Sequence, residues 1–406
     1  MPGARVPPVA RHGRLPGSRP AVTVLSFVAA ALAVVLVSAG TVAGFAVYDV
    51  ATGGKPGVKL MGQTDGPPPD IGSYEGGINV LVAASDSGGG DVGTYGKRGE
   101  HLNDVTMLLH VSADHSNATI VSFPRDLVVP IASCPNATGG NFPAQTNKIN
   151  VALTYGGLPC IVKTVENLTG LAIPFAALTE FQGVVGLSNA VGGVTVCIAK
   201  AIHDEQIGFD LDAGQQTIVG QQAVQFLRVR YGLDGGTDLA RISNQQLFLS
   251  ALVRKIKTPE ILGNPIKDYA LAKAVIDNTT RSDSLNNLTT LVSMALAVKD
   301  ISFDKVVFVQ YPGSYGSAAG QNGVLPIRSA ADVLFTALKN DQAVLLTGKT
   351  GEGTTTQPSV PVAPDPSGSI MPSGAATSAP EVALPSTATG QTAAQATCTK
   401  GQRAKG

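Results

Sequence analysis

Three short apolar runs, INVLVAA (78–84), VTMLLHV (105–111) and TIVSF (119–123), are rich in β-branched residues and bounded by turn formers. Runs this short, with little polar alternation, read as strands buried on both faces of one sheet, whereas a helix needs about 10–12 residues. Charged residues stand at their ends: Asp86 just after the first, Asp104 just before the second, Arg125 just after the third. Ligands of open α/β sheets gather at strand ends, so these positions suit a binding crevice.

The chain then alternates. Apolar spacing predicts a helix over 160–170 stopped by Gly170, a strand over 175–181, a short helix from about 182 to 191 and a strand over 192–198. Further helices are predicted over 220–227, 238–257, 259–274 and 284–297, the third opening on Thr258, Pro259 and Glu260 as a cap followed by proline. A strand over 305–311 and a helix over 329–339 complete the pattern, which predicts α/β layering. From 348 to 406 the chain is rich in Pro, Ser, Thr, Ala and Gly, and is expected to be disordered because it offers little apolar surface to offset its ordering entropy.

Residues 21–48 carry no charge, and the run exceeds the roughly 20 residues a membrane-crossing helix needs. Arg5, Arg11, Arg14 and Arg19 precede it, so the positive-inside bias places residues 1–20 in the cytoplasm and everything after the span outside. A signal peptide's apolar region is usually about 7–15 residues, which favours an uncleaved anchor. Residues 49–76, rich in Gly and Pro, read as a linker and 77–347 as the extracytoplasmic domain.

Lys plus Arg (29) balances Asp plus Glu (29), so no global field attracts nucleic acid and any basic site is a local cluster. Trp is absent and aromatics make up 5% of the chain, which leaves recognition to charge and hydrogen bonds rather than stacking. The cysteines, Cys134, Cys160, Cys197 and Cys398, lack zinc-ligand spacing and fit an oxidising compartment. Cys134 with Cys160 is the favoured pair, since both flank one candidate site loop, and Cys197 is left for Cys398 or unpaired. The histidines show no triad or metal-ligand spacing, and there is no GxSxG elbow.

The candidate site residues are Asp86, Asp104, Arg125, Lys148, Arg228, Arg230, Arg241 and Gln245. Two carboxylates suit a hard divalent cation, and guanidinium forks suit phosphate oxygens. Arg228 and Arg230 are two apart, so they converge on one ligand only if the preceding helix ends near Leu227. Arg241 and Gln245, four apart, share one face of a helix capped by Thr237 or Asp238. No acid lies between Leu239 and Lys257, so these arginines are expected to be exposed, unpaired and open to an anionic guest.

In order along the chain, NVLVAASDS, NDVTMLLHV, VSFPRD, KINVALTYGG, LGGVTV, FLRVRY and DLARISNQQ resemble the motifs of the LytR-CpsA-Psr family of bacterial cell-envelope proteins. The resemblance runs from about Ile78 to Gly348. It implies a single three-layer α/β/α domain with a central mixed sheet, and a phosphotransferase that moves a glycopolymer from a polyprenyl diphosphate carrier to the muramic acid 6-hydroxyl of peptidoglycan. By the same resemblance Asp86 and Asp104 hold Mg²⁺, while Arg125, Lys148, Arg228, Arg230, Arg241 and Gln245 hold the diphosphate or support that contact. Many members have an arginine where this chain has Leu102, with Arg98 upstream.

The expected catalytic residues are Arg125, Asp238 and Arg241, with Asp238 or Asp126 as the base for the acceptor hydroxyl. The expected partners are the lipid-linked glycopolymer, peptidoglycan and the membrane, with no nucleic acid, and helices over 160–190 are expected to wall the polyprenyl chain. The rival readings are a polyprenyl-diphosphate pyrophosphatase, which uses water as acceptor, and a non-enzymatic regulatory protein that binds an anionic lipid or polymer.

Overall fold

Leu81, fully buried in the middle of β1 (Ile78–Ser85), lies on an interior strand of a seven-stranded sheet in the computed structural model. The structure describes residues 41, 44–50, 52–63, 77–85, 102–136, 139–357 and 381–402. β2 (Asn103–Val111) and β3 (Ala118–Phe123) follow as antiparallel neighbours, as the three apolar runs predict. Next in the chain come a small hairpin, β4 (Val128–Ile131) with β5 (Gln145–Lys148), and then helix α1 (Ala152–Thr169). β6 (Phe175–Glu180) pairs parallel to β1 and leads into α2 (Phe181–Ala190).

A second, four-stranded sheet begins with β7 (Val194–Lys200). The short strands β8 (Ile202–Asp204) and β9 (Phe209–Leu211) form a hairpin, and β10 (Gly214–Ile218) pairs back on β7. Helices α3 (Gln221–Arg228), α4 (Asp238–Ile256) and α5 (Pro265–Asn278) follow, then β11 (Thr279–Arg281), α6 (Leu288–Lys299) and β12 (Val306–Gln310). An exposed hairpin, β13 (Gly313–Ala318) with β14 (Gln321–Pro326), and α7 (Arg328–Lys339) come next. Beyond it lie β15 (Thr354–Thr356), β16 (Gly390–Thr392) and β17 (Thr397–Lys400).

The large sheet runs β11-β6-β1-β2-β3-β12-β16 and is mixed, with β1/β6 and β3/β12 parallel and the other pairs antiparallel. These directions bring the carboxyl ends of β1, β3, β6 and β12 and the amino end of β2 to one edge, where the predicted site residues Asp104 and Arg125 lie. Leu81, Ala83, Leu108, Val121 and Val309 pack on one face with Ile161 and Val165 of α1 and Leu334 of α7. Val80, Phe175, Ala118 and Phe308 pack on the other with Leu249 and Val253 of α4 and Met294 and Ala297 of α6. Helices therefore cover both faces, the layering the sequence predicts.

α4 is buried almost all round because it is sandwiched between the large sheet and a separate cluster holding Val194, Val196, Ile218, Phe226 and Phe248. Its polar residues are consequently inside, and they need partners.

The sequence misplaces several elements. α1 begins at Ala152, not 160, and is kinked at Gly156 and Gly157, the latter with φ +64°. Gly156 abuts a disulfide there, and an added Cβ would lie 2.7 Å from Cys134 Cβ and 3.0 Å from Cys160 Cβ. The helix expected over 259–274 starts instead at Pro265, because Asn264 accepts from Ile266 N and Lys267 N, while Thr258 Oγ1 donates to the Lys255 carbonyl at the end of α4. The tail expected to be disordered is ordered where described: β16 completes the large sheet, and β17 lies between β7 and β15 in the small one. Its few apolar residues suffice because strand hydrogen bonds and a disulfide, Cys197–Cys398, hold it; Cys134 pairs with Cys160. Part of the expected linker also docks, with Leu60 buried in the core and Val58 N bonded to the Arg281 carbonyl.

Among the described residues no helix is long and apolar enough to cross a membrane. The expected span over 21–48 falls mostly outside them, and residues 44–50 are helical.

Candidate functional site

Asp104 owes its position to a break in strand pairing. Ala84 pairs with Val105 and Ser85 with Asn103, so Asp104 is the extra residue of a β-bulge, a device that re-aims a side chain at a sheet edge. Polar side chains lock the bulge: Ser85 Oγ donates to the Leu102 carbonyl at 2.7 Å, and buried Asn103 Nδ2 donates to Thr106 Oγ1 at 2.7 Å. Ser85 and Asn103 both stand in motifs of the sequence, next to Asp86 and Asp104, but neither is one of the candidate site residues. Leu102 supplies the carbonyl of the Ser85 bond, and Arg98 and Asp86 lie outside the described residues.

Arg125, past the end of β3, reaches across to the bulge, its Nη1 donating to Asp104 Oδ1 at 2.8 Å. Its Nε lies 3.8 Å from Asp238 Oδ1 and 3.9 Å from Asp126 Oδ2. Burial works against its charge, but Asp238, the bond to Asp104 and Asp126 outweigh it, and the pKa of Arg125 is raised. Lys148, on β5, meets the other oxygen of Asp126 at 3.1 Å. The structure thus brings Asp104, Arg125, Asp126, Lys148, Asp238 and Arg241 into one connected group.

Arg241 differs from its sequence expectation. It is 6% exposed rather than open to solvent, and its Nη2 forms an ion pair with Asp238 Oδ1, three residues back on α4. A buried guanidinium needs such a partner because desolvation otherwise penalises it heavily. Burial still lowers its pKa, and the nearby Arg125 and Arg230 charges add to that, while Asp238 and Asp104 oppose it. Thr237, not Asp238, caps the helix, accepting from Ala240 N at 3.0 Å, and its own hydroxyl donates to Glu352 Oε2 at 2.6 Å.

The helix before Arg230 ends at Arg228, close to the point the spacing of the two arginines requires. Two amides from α4 hold that end: Asn244 Nδ2 donates to the Phe226 carbonyl at 2.7 Å and Gln245 Nε2 to the Leu227 carbonyl at 3.1 Å. They satisfy terminal carbonyls that a helix leaves without intrahelical donors. Gln245 therefore acts on the arginine segment through its backbone. The Arg228 guanidinium stacks over the Phe181 ring, 5.2 Å from its centroid, and that of Arg230 over Tyr231 at 5.1 Å.

Several polar atoms in the group are buried without a hydrogen-bond partner: Asp104 Oδ2, Asp238 Oδ2, Arg125 Nε and Arg241 Nε. Unsatisfied groups clustered in one place need an explanation, and an absent polar ligand supplies one. Asp104 Oδ2 is a hard oxygen donor that fits a divalent cation needing one or two carboxylates, with phosphate and water oxygens for the rest. Among the described residues no three His, Cys, Asp or Glu side chains form a metal cluster.

Comparison with known proteins supports the fold. A protein of Streptococcus agalactiae aligns with a TM-score of 0.54 at 22% identity, over 65% of this chain and 87% of its own. The LytR-Csp2A-Psr enzyme from Actinomyces oris aligns with a TM-score of 0.53 at 17% identity, over 71% and 97%. In sequence, the cell wall biosynthesis protein LcpA of Corynebacterium glutamicum is 28% identical over 281 residues, 63% of this chain and 53% of that protein. The polyisoprenyl-teichoic acid–peptidoglycan teichoic acid transferase TagU of Enterococcus faecalis is 27% identical over 199 residues, 49% of this chain and 60% of its own. The chain spans about half the length of the first of these relatives. Over residues 50–340 it matches the LytR_cpsA_psr family, and with the mixed sheet and the strand-edge group in place, the chain belongs to that family.

Proposed function

We propose that this protein is a Mg²⁺-dependent phosphotransferase, anchored in the cell membrane with its catalytic domain outside, that moves a glycopolymer from a polyprenyl diphosphate to the muramic acid 6-hydroxyl of peptidoglycan. The observation that carries this reading is the divided Asp104 carboxylate: one oxygen holds Arg125, and the other is buried and unpartnered. Family membership and similarity to a teichoic acid transferase support it.

In this reading the acceptor oxygen attacks the phosphorus that bears the glycan. A new P–O bond forms, the bond from that phosphorus to the bridging oxygen breaks, and polyprenyl phosphate leaves with the electron pair. Such a reaction needs charge neutralisation and alignment more than covalent help. Mg²⁺, held by Asp104 and Asp86, would supply charge neutralisation on the phosphate oxygens. Arg125 and Arg230 bind the diphosphate, Arg241 adds charge from within, and Arg228, Lys148 and Gln245 support them. Asp238, 1% exposed and paired with Arg241, orients that guanidinium. Of the two carboxylates considered as the base, Asp238 and Asp126, the second is the more accessible, with a side chain 20% exposed, and in this reading it takes the acceptor proton.

The polyprenyl chain needs an apolar path. Val82, in the middle of β1, an interior strand with neighbours on both sides, is 36% exposed, an unusual state for the interior of a seven-stranded sheet. It lies on the same face as Val80, Leu109 and Met294, which line an apolar cavity of about 140 Å³ with Val298 of α6. We assign the chain to this face. This proposal differs from the expectation that helices over 160–190 wall the chain; of these, α1 packs on the opposite face.

The test is a transfer assay with a labelled lipid-linked glycan and peptidoglycan. Label covalently joined to peptidoglycan, with polyprenyl phosphate released in step, supports the proposal. Release of glycan phosphate to water alone identifies a pyrophosphatase, and binding without turnover a non-enzymatic role.

A further inference from the structure

Among the described residues no carboxylate lies within ion-pair distance of Arg230, unlike Arg125 and Arg241. Its Nε donates to the Gly236 carbonyl at 3.2 Å, which closes the turn 229–236 joining α3 to α4. That turn is gripped from two sides.

On one side stands Asp204, at the end of β8, 2% exposed. Its Oδ2 accepts from Arg230 N at 3.2 Å and Gly232 N at 3.1 Å, and its Oδ1 accepts from Gln206 N at 3.1 Å. A carboxylate buried without a cation is retained at a desolvation cost that only such charge-assisted bonds offset. Gly232 packs tightly here, and an added Cβ would lie 3.0 Å from Asp204 Cβ.

On the other side runs the end of the ordered tail. After Cys398, bonded to Cys197, the Lys400 carbonyl accepts from Asp234 N at 2.9 Å, and Gly401 bridges Leu233. Gln402 N donates to the Gly232 carbonyl at 2.8 Å, and its Nε2 to the Tyr231 carbonyl at 3.1 Å. The backbone N–H groups of Arg230, Gly232 and Asp234 and the carbonyls of Tyr231 and Gly232 are thereby all engaged by groups from outside the turn.

We infer that Asp204 and the stapled segment 398–402 form a positioning clamp that presents Arg230 to the diphosphate, with Asp204 and Gln402 as positioning residues. The diphosphate role of Arg230 rests on the function proposed above. The clamp itself is a matter of backbone order and can be read without substrate.

The experiment uses the full chain in detergent and compares wild type with Asp204→Ala, Asp204→Asn, Gln402→Ala and Arg230→Ala. Amide hydrogen exchange over 229–236 reads the clamp, and titration with inorganic pyrophosphate in the presence of Mg²⁺ reads the anion site. Asp204→Ala is expected to speed exchange at Arg230 and Gly232, to weaken pyrophosphate binding roughly tenfold and to raise KM with kcat held. It should add nothing further in an Arg230→Ala background, and Asp204→Asn should recover part of the loss. Gln402→Ala, which removes one exposed hydrogen bond, is expected to show the same pattern at about two- to threefold, and it serves if Asp204→Ala does not fold. Unchanged exchange in both Asp204→Ala and Gln402→Ala overturns the clamp. If Arg230→Ala weakens binding but the clamp variants do not, positioning fails while the diphosphate reading stands. If Arg230→Ala itself binds like wild type, both the anion role of Arg230 and the positioning built on it fall.

Discussion

Arg125 and Asp104 meet at 2.8 Å between the end of one strand and a bulge in its neighbour, and each keeps a buried polar atom without a hydrogen-bond partner. Neither residue is merely completing the other. The pair fixes the bulge edge against the end of β3 and leaves Asp104 Oδ2 and Arg125 Nε with hydrogen-bonding capacity unused.

Asp104→Ala is expected to abolish the Mg²⁺ dependence of transfer and to reduce turnover by at least about a hundredfold, as removal of a group that stabilises developing charge typically does. Titrating Mg²⁺ against initial rate in wild type and variant checks this. A wild-type metal curve in the variant would remove Asp104 from the metal site.

Arg241→Ala is expected to lose both activity and stability. Its burial against Asp238 means that removing it takes away the nearer of that carboxylate's two cations and leaves only Arg125, 3.8 Å away, at a cost of about 3 kcal/mol. Urea denaturation should show the fall, and an Asp238→Leu, Arg241→Met double variant should regain most of the stability while staying inactive. An Arg241→Ala protein as stable as wild type would contradict the pairing.

Cys197→Ser and Cys134→Ser should differ in their effects. The Cys197–Cys398 bond spans a sequence separation of 201 and Cys134–Cys160 one of 26. The chain-entropy relation then gives losses of about 5 and about 3.5 kcal/mol. Chemical denaturation of the two variants checks the order. Equal losses would mean that native contacts rather than loop closure decide.

Val82→Arg is expected to weaken binding of a long-chain polyprenyl diphosphate by about tenfold or more, since a charge on an apolar path must be desolvated, while leaving inorganic pyrophosphate affinity unchanged. Parallel titrations with the two ligands separate the effects. Equal affinity for the long-chain lipid would place the chain elsewhere.

The strands that build the site were legible because β-branched runs bounded by turn residues have few other ways to be buried, and Asp104 and Arg125 stand at their ends as the pattern implies. The acid partner of Arg241 was not, because Asp238 opens the helix where a cap is expected, and nothing local shows that α4 is buried almost all round. Asp204 lies in no motif, and Ser85 and Asn103 lie in motifs singled out for their acids; all three act through backbone contacts made by segments distant in the chain, which local pattern does not show. The ordered tail was missed for a related reason: its composition is that of a linker, and its order comes from strand pairing and a bond to Cys197.

A crystal of the protein soaked with a polyprenyl diphosphate and Mn²⁺ in place of Mg²⁺ tests the central claim most directly. The account predicts an anomalous peak beside Asp104 Oδ2, at about the 2.1 Å typical of a hard divalent cation, with the diphosphate against Arg125 and Arg230 and its chain over Val82. Diphosphate bound away from Arg125, with Asp104 Oδ2 still unpartnered, would contradict it.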